Sequence, residues 1–359
     1  TELKGWSSKN MSKLHLDNDL TENTKLEVRN YPQKVYKKDL TLIEKMLKKS
    51  LSPVLLVGNG VRLSGMFEEL QKLAKILMIP VVTGWNAHDL ITNESDYFSG
   101  RPGTVGDRAG NFTVQNADLL VILGCRLNIR QVSYNWEMFA KKAFKIMIDA
   151  DIAELSKPTL KIDSKINSNL KYFIPAFIEH LKNYKPKKEH NLYLSWCKSK
   201  VLSYPTVLDS YKKKNTPINP YFFIDLLFNS LTKDDVVVAG NGSACVIGFQ
   251  AAKLKSGQRF FTNSGSASMG YDLPAAIGAS IAKNRSKTIC IAGDGSIMMN
   301  IQELHTIIEH GLNVKIVIFN NDGYLMIKHT QKMLFKGRYV QVDKKTGVGL
   351  PDFSKVLPA

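Results

Sequence analysis

Two short polar runs near the carboxyl terminus contain residue types that can hold a metal ion and a phosphate group. The first is Gly293-Asp294-Gly295-Ser296, and the second, about two dozen residues later, is Asn320-Asn321. Glycines allow backbone N–H groups to approach an anion closely, and an aspartate between them offers a hard oxygen ligand. The pair of runs therefore indicates a site for a metal ion and a bound phosphate.

The flanking segments predict the elements that position these runs. Residues 288–292 form a short apolar run typical of a buried strand, and residues 314–319 form another. Between them, a helix is predicted from Met298 to a stop at Gly311. Its apolar face is predicted to comprise the following residues: Met298, Ile301, Leu304 and Ile308.

Both polar runs follow strands, and the carboxyl ends of parallel strands meet at one edge of a sheet, where ligands bind. A carboxylate, an amide oxygen and a glycine-rich turn are expected to meet there. Mg²⁺ accepts one or two protein oxygens together with phosphate oxygens and water, so this edge is predicted to hold Mg²⁺ against a diphosphate. The alternative is that Asp-Gly and Asn-Asp-Gly are ordinary turns on an unrelated Rossmann-like sheet.

This constellation resembles the signature of thiamine-diphosphate enzymes, in which GDG is followed after roughly 25 to 30 residues by NN. The resemblance implies that Asp294, the Asn321 side chain and the Gly323 carbonyl bind the metal. It also implies that the GDGS turn contacts the diphosphate, and the cofactor-binding residues implied there are Gly293, Asp294, Gly295 and Ser296.

A second stretch extends the resemblance toward the other end of the cofactor. The run 264–279 is similar to the S-G-G-x-G-x-M-G-F-x-L-P-A-A-I-G-A segment of this enzyme class. By resemblance, the Ala267 carbonyl accepts a hydrogen bond from the 4′-amino group of the aminopyrimidine, and Met269 supports the bent cofactor. A core methionine is the alternative for Met269. Residues expected near the diphosphate after the strand 235–239 are Asn241, Gly242 and Ser243.

The first half of the chain also reads as alternating short strands and helices. Its runs 103–106, 116–126 and 147–151 resemble the middle domain of acetolactate synthase, which holds FAD in flavin-binding members. The FAD or nucleotide candidates carried over are Gly58, Asn59, Gly60, Arg126, Arg130, Asp149 and Asp151. Arginines can face a pyrophosphate, and an acid at a strand end can accept ribose hydroxyls. A purely structural Rossmann-like domain without flavin remains the alternative, because a lone GNG often reflects close packing.

Composition limits the remaining classes. The 359 residues carry a net charge of +17, but the basic residues are mostly scattered lysines with no nucleic-acid-binding motif, so no nucleic-acid partner is expected. No apolar run approaches the roughly 18 to 20 residues that span a bilayer. The four cysteines are dispersed and mostly lie in apolar segments, which predicts buried, reduced thiols and a cytoplasmic protein.

The predicted fold class is α/β, with two Rossmann-like three-layer αβα domains and mostly parallel, doubly wound sheets. Residues 1–34 are expected to be a linker or truncated end, 35–183 the middle domain, 184–215 a linker, and 216–359 a thiamine-diphosphate domain that is incomplete at its end. Relatives carry an additional pyrimidine domain, so the chain is expected to be a fragment of a longer enzyme or one subunit of a split one. On its own it is then expected to be inactive, and no catalytic residue is assigned.

The function that the resemblance implies is a thiamine-diphosphate- and Mg²⁺-dependent carboligase of the acetolactate synthase type, working as a homodimer or tetramer. It would decarboxylate pyruvate and transfer the two-carbon unit to a 2-keto acid or a keto-sugar. Residues 240–244 read GNGSA where acetolactate synthase usually has Gly-x-Gly-Gln-His, which puts the acetohydroxyacid product in doubt. The keto-sugar option arises because residues 321–324 read Asn-Asp-Gly-Tyr, which looks more like relatives with a keto-sugar acceptor. The alternatives are a 2-keto acid decarboxylase and a non-catalytic cofactor-binding protein.

Overall fold

The structure is a computed structural model that describes residues 31–212 and 217–356. Most of the predicted linker or truncated end at 1–34 lies outside these residues. The described chain forms two parallel β-sheets with helices on both faces. This arrangement confirms the predicted α/β class.

The first sheet has five strands in the order β2-β1-β3-β4-β5, and each neighbouring pair is parallel. Its strands are β1 Pro53–Val57, β2 Val81–Thr83, β3 Leu119–Leu123, β4 Phe144–Asp149 and β5 Ser164–Asn167. The order reverses between β1 and β3, and an open sheet of this kind forms a crevice for ligands beside the ends of those two strands.

The second sheet repeats this plan with four parallel strands in the order β7-β6-β8-β9. Its strands are β6 Val236–Ala239, β7 Arg259–Thr262, β8 Thr288–Gly293 and β9 Val314–Phe319. Here the order reverses between β6 and β8. The GDG turn therefore leaves the sheet beside the point where a ligand crevice is expected.

Helices connect the strands and cover both faces of each sheet. Those before β6 are α1 Lys37–Lys49, α2 Gly60–Leu63, α3 Phe67–Leu77, α4 Arg108–Gln115, α5 Ile129–Val132, α6 Ile152–Ser156, α7 Leu170–His180, α8 Lys188–Ser203 and α9 Pro220–Ser230. Those after β6 are α10 Gly242–Ala251, α11 Asp272–Ala282, α12 Asp294–Ile297, α13 Glu303–Glu309, α14 Leu325–Leu334 and α15 Phe353–Val356.

Alternate residues of the central strands face two separate apolar clusters, and this produces the three layers. In β1, Leu55 and Val57 belong to one cluster, whereas Val54 and Leu56 belong to the other. The strand β6 divides in the same way between the two clusters of the second domain. Side chains alternate along a strand, so a sheet buried on both faces requires such continuous apolar runs.

Helix α8 lies within the segment predicted to connect the domains, and it packs on the first domain. Its Leu194 and Cys197 are buried, and the Tyr193 hydroxyl donates a 2.6 Å hydrogen bond to the Thr113 carbonyl at α4. All four cysteines are buried and free, as the sequence predicts. Within the described residues, no helix is both long enough and apolar enough to cross a membrane.

The helix predicted after the GDG turn differs in one respect. The structure has a 3₁₀ turn at Met298–Asn300 and then α13, so the helical register shifts relative to one continuous α-helix. Ile307 packs against the core, whereas Ile308, predicted to lie on the buried face, is 72% exposed. The prediction for Ile308 was therefore wrong.

Candidate functional site

The Asp294 carboxylate joins the two polar turns that the sequence singles out. Its side chain is buried at 1% exposure, and Oδ1 accepts a 2.7 Å hydrogen bond from the Gly295 amide. Oδ2 accepts from the Asn321 amide at 2.9 Å and from the Gly323 amide at 3.1 Å. A carboxylate has about four acceptor positions, so three backbone donors leave room for one further contact. The turns after β8 and β9 are thereby held together around one negative charge.

Two glycines are required by the packing of these turns. A Cβ added at Gly295 would lie 2.3 Å from the Tyr324 ring, which covers the GDG turn. Gly323 has φ +137°, and a Cβ there would lie 2.1 Å from the Val342 carbonyl. Residues with side chains rarely adopt the φ of Gly323, and the Tyr324 ring leaves no room for a side chain at Gly295, so both positions favour glycine independently of any ligand.

The three residues predicted to bind the metal are neighbours, because the backbone amides of Asn321 and Gly323 donate to Asp294. Gly323 is buried, while Asn321 is exposed and its side chain makes no hydrogen bond to the described part of the chain. Within residues 31–212 and 217–356, no three histidine, cysteine, aspartate or glutamate side chains form a metal cluster. An ion at this edge would therefore depend on the Asp294 carboxylate, on amide or carbonyl oxygens and on oxygens of its ligand, a donor set that suits Mg²⁺.

Ser296 faces inward rather than toward the turn's surface. Its hydroxyl donates a 2.6 Å hydrogen bond to Asp272 Oδ2 and accepts one from the Gly270 amide at 3.0 Å. The hydroxyl proton is thus committed to Asp272, and the Ser296 contact with a diphosphate that the sequence predicts would have to come from its backbone N–H. Burial raises the pKa of the Asp272 carboxyl, although the Ser296 hydrogen bond opposes that rise.

Sequence reasoning did not identify Asp272 as part of the site. A Cβ at Gly240 would lie 2.5 Å from Asp272 Oδ2, so the carboxyl group fits closely beneath the turn that follows β6. In the sequence, Asp272 is marked only as a charged residue at the variable position x of the run that resembles M-G-F-x-L-P.

The turns that follow β6 and β7 are also in contact. The Asn241 Nδ2 donates a 3.0 Å hydrogen bond to the Ala267 carbonyl, the group predicted to face the aminopyrimidine. Gly242 and Ser243 begin α10 at the same edge. Met269 is half-buried, one residue before the Gly270 that donates to Ser296. The structure therefore places these predicted residues at the same edge of the second sheet as Asp294.

A second candidate site is a cavity of about 690 Å³ between the domains, beside the carboxyl ends of β1, β3 and β4. Residues of both domains line it, including Asn86 of the first domain and Thr262 to Gly265 of the second. The predicted nucleotide residues that line it are Gly58, Asn59, Gly60, Arg126, Asp149 and Asp151. Burial raises the pKa of the Asp149 carboxyl at the cavity wall.

Two details of this cavity differ from the pattern expected for FAD. Arg130 does not line it, and its guanidinium lies 5.9 Å from the Trp85 ring centre instead. Arg126 is 61% exposed and is paired with Glu154 at 3.7 Å. In addition, a Cβ at Gly58 would lie 2.2 Å from the Gly124 carbonyl, so the close approach of two turns alone explains that glycine.

Comparison with known families identifies the two domains that carry these sites. The central domain of thiamine pyrophosphate enzymes matches residues 40–177, and their C-terminal TPP binding domain matches residues 240–359. The first match covers β1 to β5, and the second begins directly after β6 and covers β7 to β9. The chain belongs to the thiamine pyrophosphate enzyme family.

Its curated relatives include acetolactate synthase large subunits. It is 32% identical over 327 residues to a probable acetolactate synthase large subunit of Methanococcus aeolicus, covering 87% of this chain and 53% of the relative. It is 30% identical over 332 residues to the acetolactate synthase large subunit of Pyropia yezoensis, covering 90% of this chain and 53% of the relative. To the acetolactate synthase isozyme 2 large subunit of Escherichia coli (strain K12) it is 29% identical over 321 residues, covering 88% of this chain and 55% of the relative. The chain thus spans about half the length of the curated relatives it matches.

Proposed function

We propose that this chain holds thiamine diphosphate and Mg²⁺ for a carboligase of the acetolactate synthase type. The observation that carries the proposal is the buried Asp294 carboxylate, which ties the GDG turn to the Asn321 and Gly323 amides. A negative charge held in this way has one acceptor position left for a cation, and its neighbours supply neutral oxygens.

The residues of this chain have separate tasks under the proposal. Asp294, the Asn321 side chain and the Gly323 carbonyl hold the metal, and the amides of the GDGS turn and of the start of α10 face the diphosphate. When bound, thiamine diphosphate supplies the carbanion chemistry by which a 2-keto acid loses CO₂. The protein residues orient the cofactor and exclude water.

For the complete enzyme, we propose pyruvate as the donor and a 2-keto acid or a keto-sugar as the acceptor, in a homo-oligomer. Two alternatives differ in their products. With pyruvate, a carboligase releases CO₂ without acetaldehyde, a simple decarboxylase releases both, and a non-catalytic cofactor-binding protein releases neither. Measuring both products from the full-length protein separates the three.

The binding claim is tested by Asp294→Asn. This change keeps the side-chain shape, but it removes the negative charge and turns an NH₂ group toward backbone donors. We expect Mg²⁺-dependent affinity for thiamine diphosphate, measured by calorimetry, to fall by about 100-fold or more, since even residues behind metal ligands cost 10- to 100-fold.

Asp322→Asn is the matched control, because Asp322 is an exposed carboxylate in the turn after β9. We expect its affinity to stay within about twofold of the wild type, since no backbone donor of the described chain depends on it. Equal affinity in wild type and Asp294→Asn would contradict the proposed site.

A further inference from the structure

Asn241 is placed to cap a helix, but its side chain is used elsewhere. It precedes α10 with an extended backbone, φ −101° and ψ −170°, and asparagine is among the residues preferred at such a position. A capping asparagine accepts a hydrogen bond from an amide of the first helical turn. The Asn241 side chain makes no such bond, and its Nδ2 donates instead to the Ala267 carbonyl at 3.0 Å.

The Ala267 turn needs this kind of support. Ala267 has φ +53°, in the left-handed region, where an L side chain costs roughly 1–2 kcal/mol. Its amide donates to the Asn263 carbonyl at 2.9 Å, and the Ser266 amide donates to Asn263 Oδ1 at 3.3 Å. These bonds lie within the turn itself. In the described chain, the Asn241 amide is the partner of the Ala267 carbonyl from the neighbouring strand.

We propose that Asn241 is a positioning residue that sets both ends of the cofactor site. It holds the Ala267 carbonyl in a fixed direction for the amino group of the aminopyrimidine. Because its side chain is engaged there, it leaves the first amides of α10 without a side-chain cap and open to the diphosphate. This inference rests on the proposed function, since it assigns both ends of the site to thiamine diphosphate.

The two tasks require one side chain with two properties. It must stand at the start of α10, and it must reach across to the turn after β7 with a donor. Serine at position 241 would be too short to reach the carbonyl and would cap α10. Alanine would lose the bond to the Ala267 carbonyl without capping α10. Comparing the two variants therefore distinguishes the effect of the lost bond from the effect of a new cap.

The experiment measures the binding of three ligands with Mg²⁺ to the full-length protein. Thiamine diphosphate contains both groups, oxythiamine diphosphate has an oxo group in place of the 4′-amino group, and inorganic pyrophosphate has only the anion. We expect Asn241→Ala to bind thiamine diphosphate about tenfold more weakly, the effect of one lost hydrogen bond. It should bind oxythiamine diphosphate and pyrophosphate within about twofold of the wild type.

Asn241→Ser should also lose the preference for thiamine diphosphate over the oxo analogue. In addition, it should bind pyrophosphate several-fold more weakly than Asn241→Ala, because its hydroxyl competes for the first amides of α10. Asn313→Ala, an exposed asparagine just before β9, is the matched control and should leave all three affinities unchanged.

Two results would overturn the inference. An Asn241→Ala protein that keeps the wild-type ratio of thiamine diphosphate to oxythiamine diphosphate affinity contradicts positioning, whether all affinities fall together or none does. A wild type that binds pyrophosphate but no thiamine diphosphate overturns the proposed function and this inference with it. If the wild type binds thiamine diphosphate and Asn241→Ala keeps the wild-type affinity ratio, the inference is overturned and the proposed function stands.

Discussion

Replacing Arg101 with methionine should weaken the contact between the two domains. Arg101 belongs to the first domain, is 3% exposed, and its Nη1 donates to the carbonyls of Ala252 at 2.7 Å and Phe249 at 3.3 Å. Both carbonyls lie at the carboxyl end of α10, whose other end forms part of the cofactor site. Nη2 donates to Asn93 Oδ1 at 2.7 Å.

The expected magnitude follows from these contacts. Each hydrogen bond from a charged donor contributes about 1.5–3 kcal/mol, and the 3.3 Å bond to the Phe249 carbonyl belongs at the lower end of that range. Burial lowers the pKa of Arg101 to about 10, so the guanidinium is charged at neutral pH and part of this stabilisation offsets its desolvation. Methionine keeps most of the apolar stem and avoids the desolvation. We therefore expect the free energy of unfolding to fall by about 2–4 kcal/mol.

Urea unfolding of wild type and Arg101→Met at neutral pH measures this difference. Arg108→Met is the matched control, because Arg108 is exposed and, within the described residues, its guanidinium lies against the rings of Phe112 and Tyr204. That change should cost no more than about 1 kcal/mol. A loss below about 1 kcal/mol for Arg101→Met would refute the argument that its buried hydrogen bonds stabilise the domain contact.

Two further predictions concern charge at the two sites. Burial raises the folded-state pKa of Asp272, so ionising it disfavours folding, and the unfolded chain loses this proton first as pH rises above the ordinary value of 3.8. The free energy of unfolding of Asp272→Asn should therefore rise relative to that of the wild type as pH increases from 4 toward 7. Urea unfolding at several pH values measures this difference in free energy. A difference that shrinks over this range contradicts the prediction. At the cavity between the domains, Arg126 is exposed and paired with Glu154, and Arg130 does not line the wall. Among the residues that the structure describes, neither predicted arginine is thus reserved for a flavin pyrophosphate, and we expect purified protein without the visible flavin absorbance. A yellow protein with FAD in stoichiometric amount refutes this.

Much of the fold could be predicted because the central strands are continuous apolar runs that end in polar turns. This pattern identified β8 and β9 and placed Asp294 and Asn321 at one edge, where the structure has them in contact. Strand β5 was missed because only Ile166 of its four residues is buried, so it lacks such a run. Periodicity also misplaced Ile308, since a 3₁₀ turn changes the register before α13.

Contacts between distant residues left no comparable signal. The Asn241 bond to Ala267 joins turns of two neighbouring strands, and the Arg101 bond to Ala252 joins residues 151 positions apart. In the sequence, neither Asn241 nor Arg101 differs from an ordinary polar residue. Arg130, a nucleotide-site candidate by resemblance, does not line the cavity, and its guanidinium lies 5.9 Å from the centre of the Trp85 ring.

The central claim is that the edge formed by the turns after β8 and β9 holds the metal and the diphosphate. Crystals of the full-length protein grown with thiamine diphosphate and Mn²⁺ in place of Mg²⁺ test it directly, because anomalous scattering locates the manganese. We expect one manganese bonded to the Asp294 carboxylate, the Asn321 side-chain oxygen, the Gly323 carbonyl and the diphosphate. Manganese or diphosphate bound elsewhere, with Asp294 still held only by backbone amides, would contradict it.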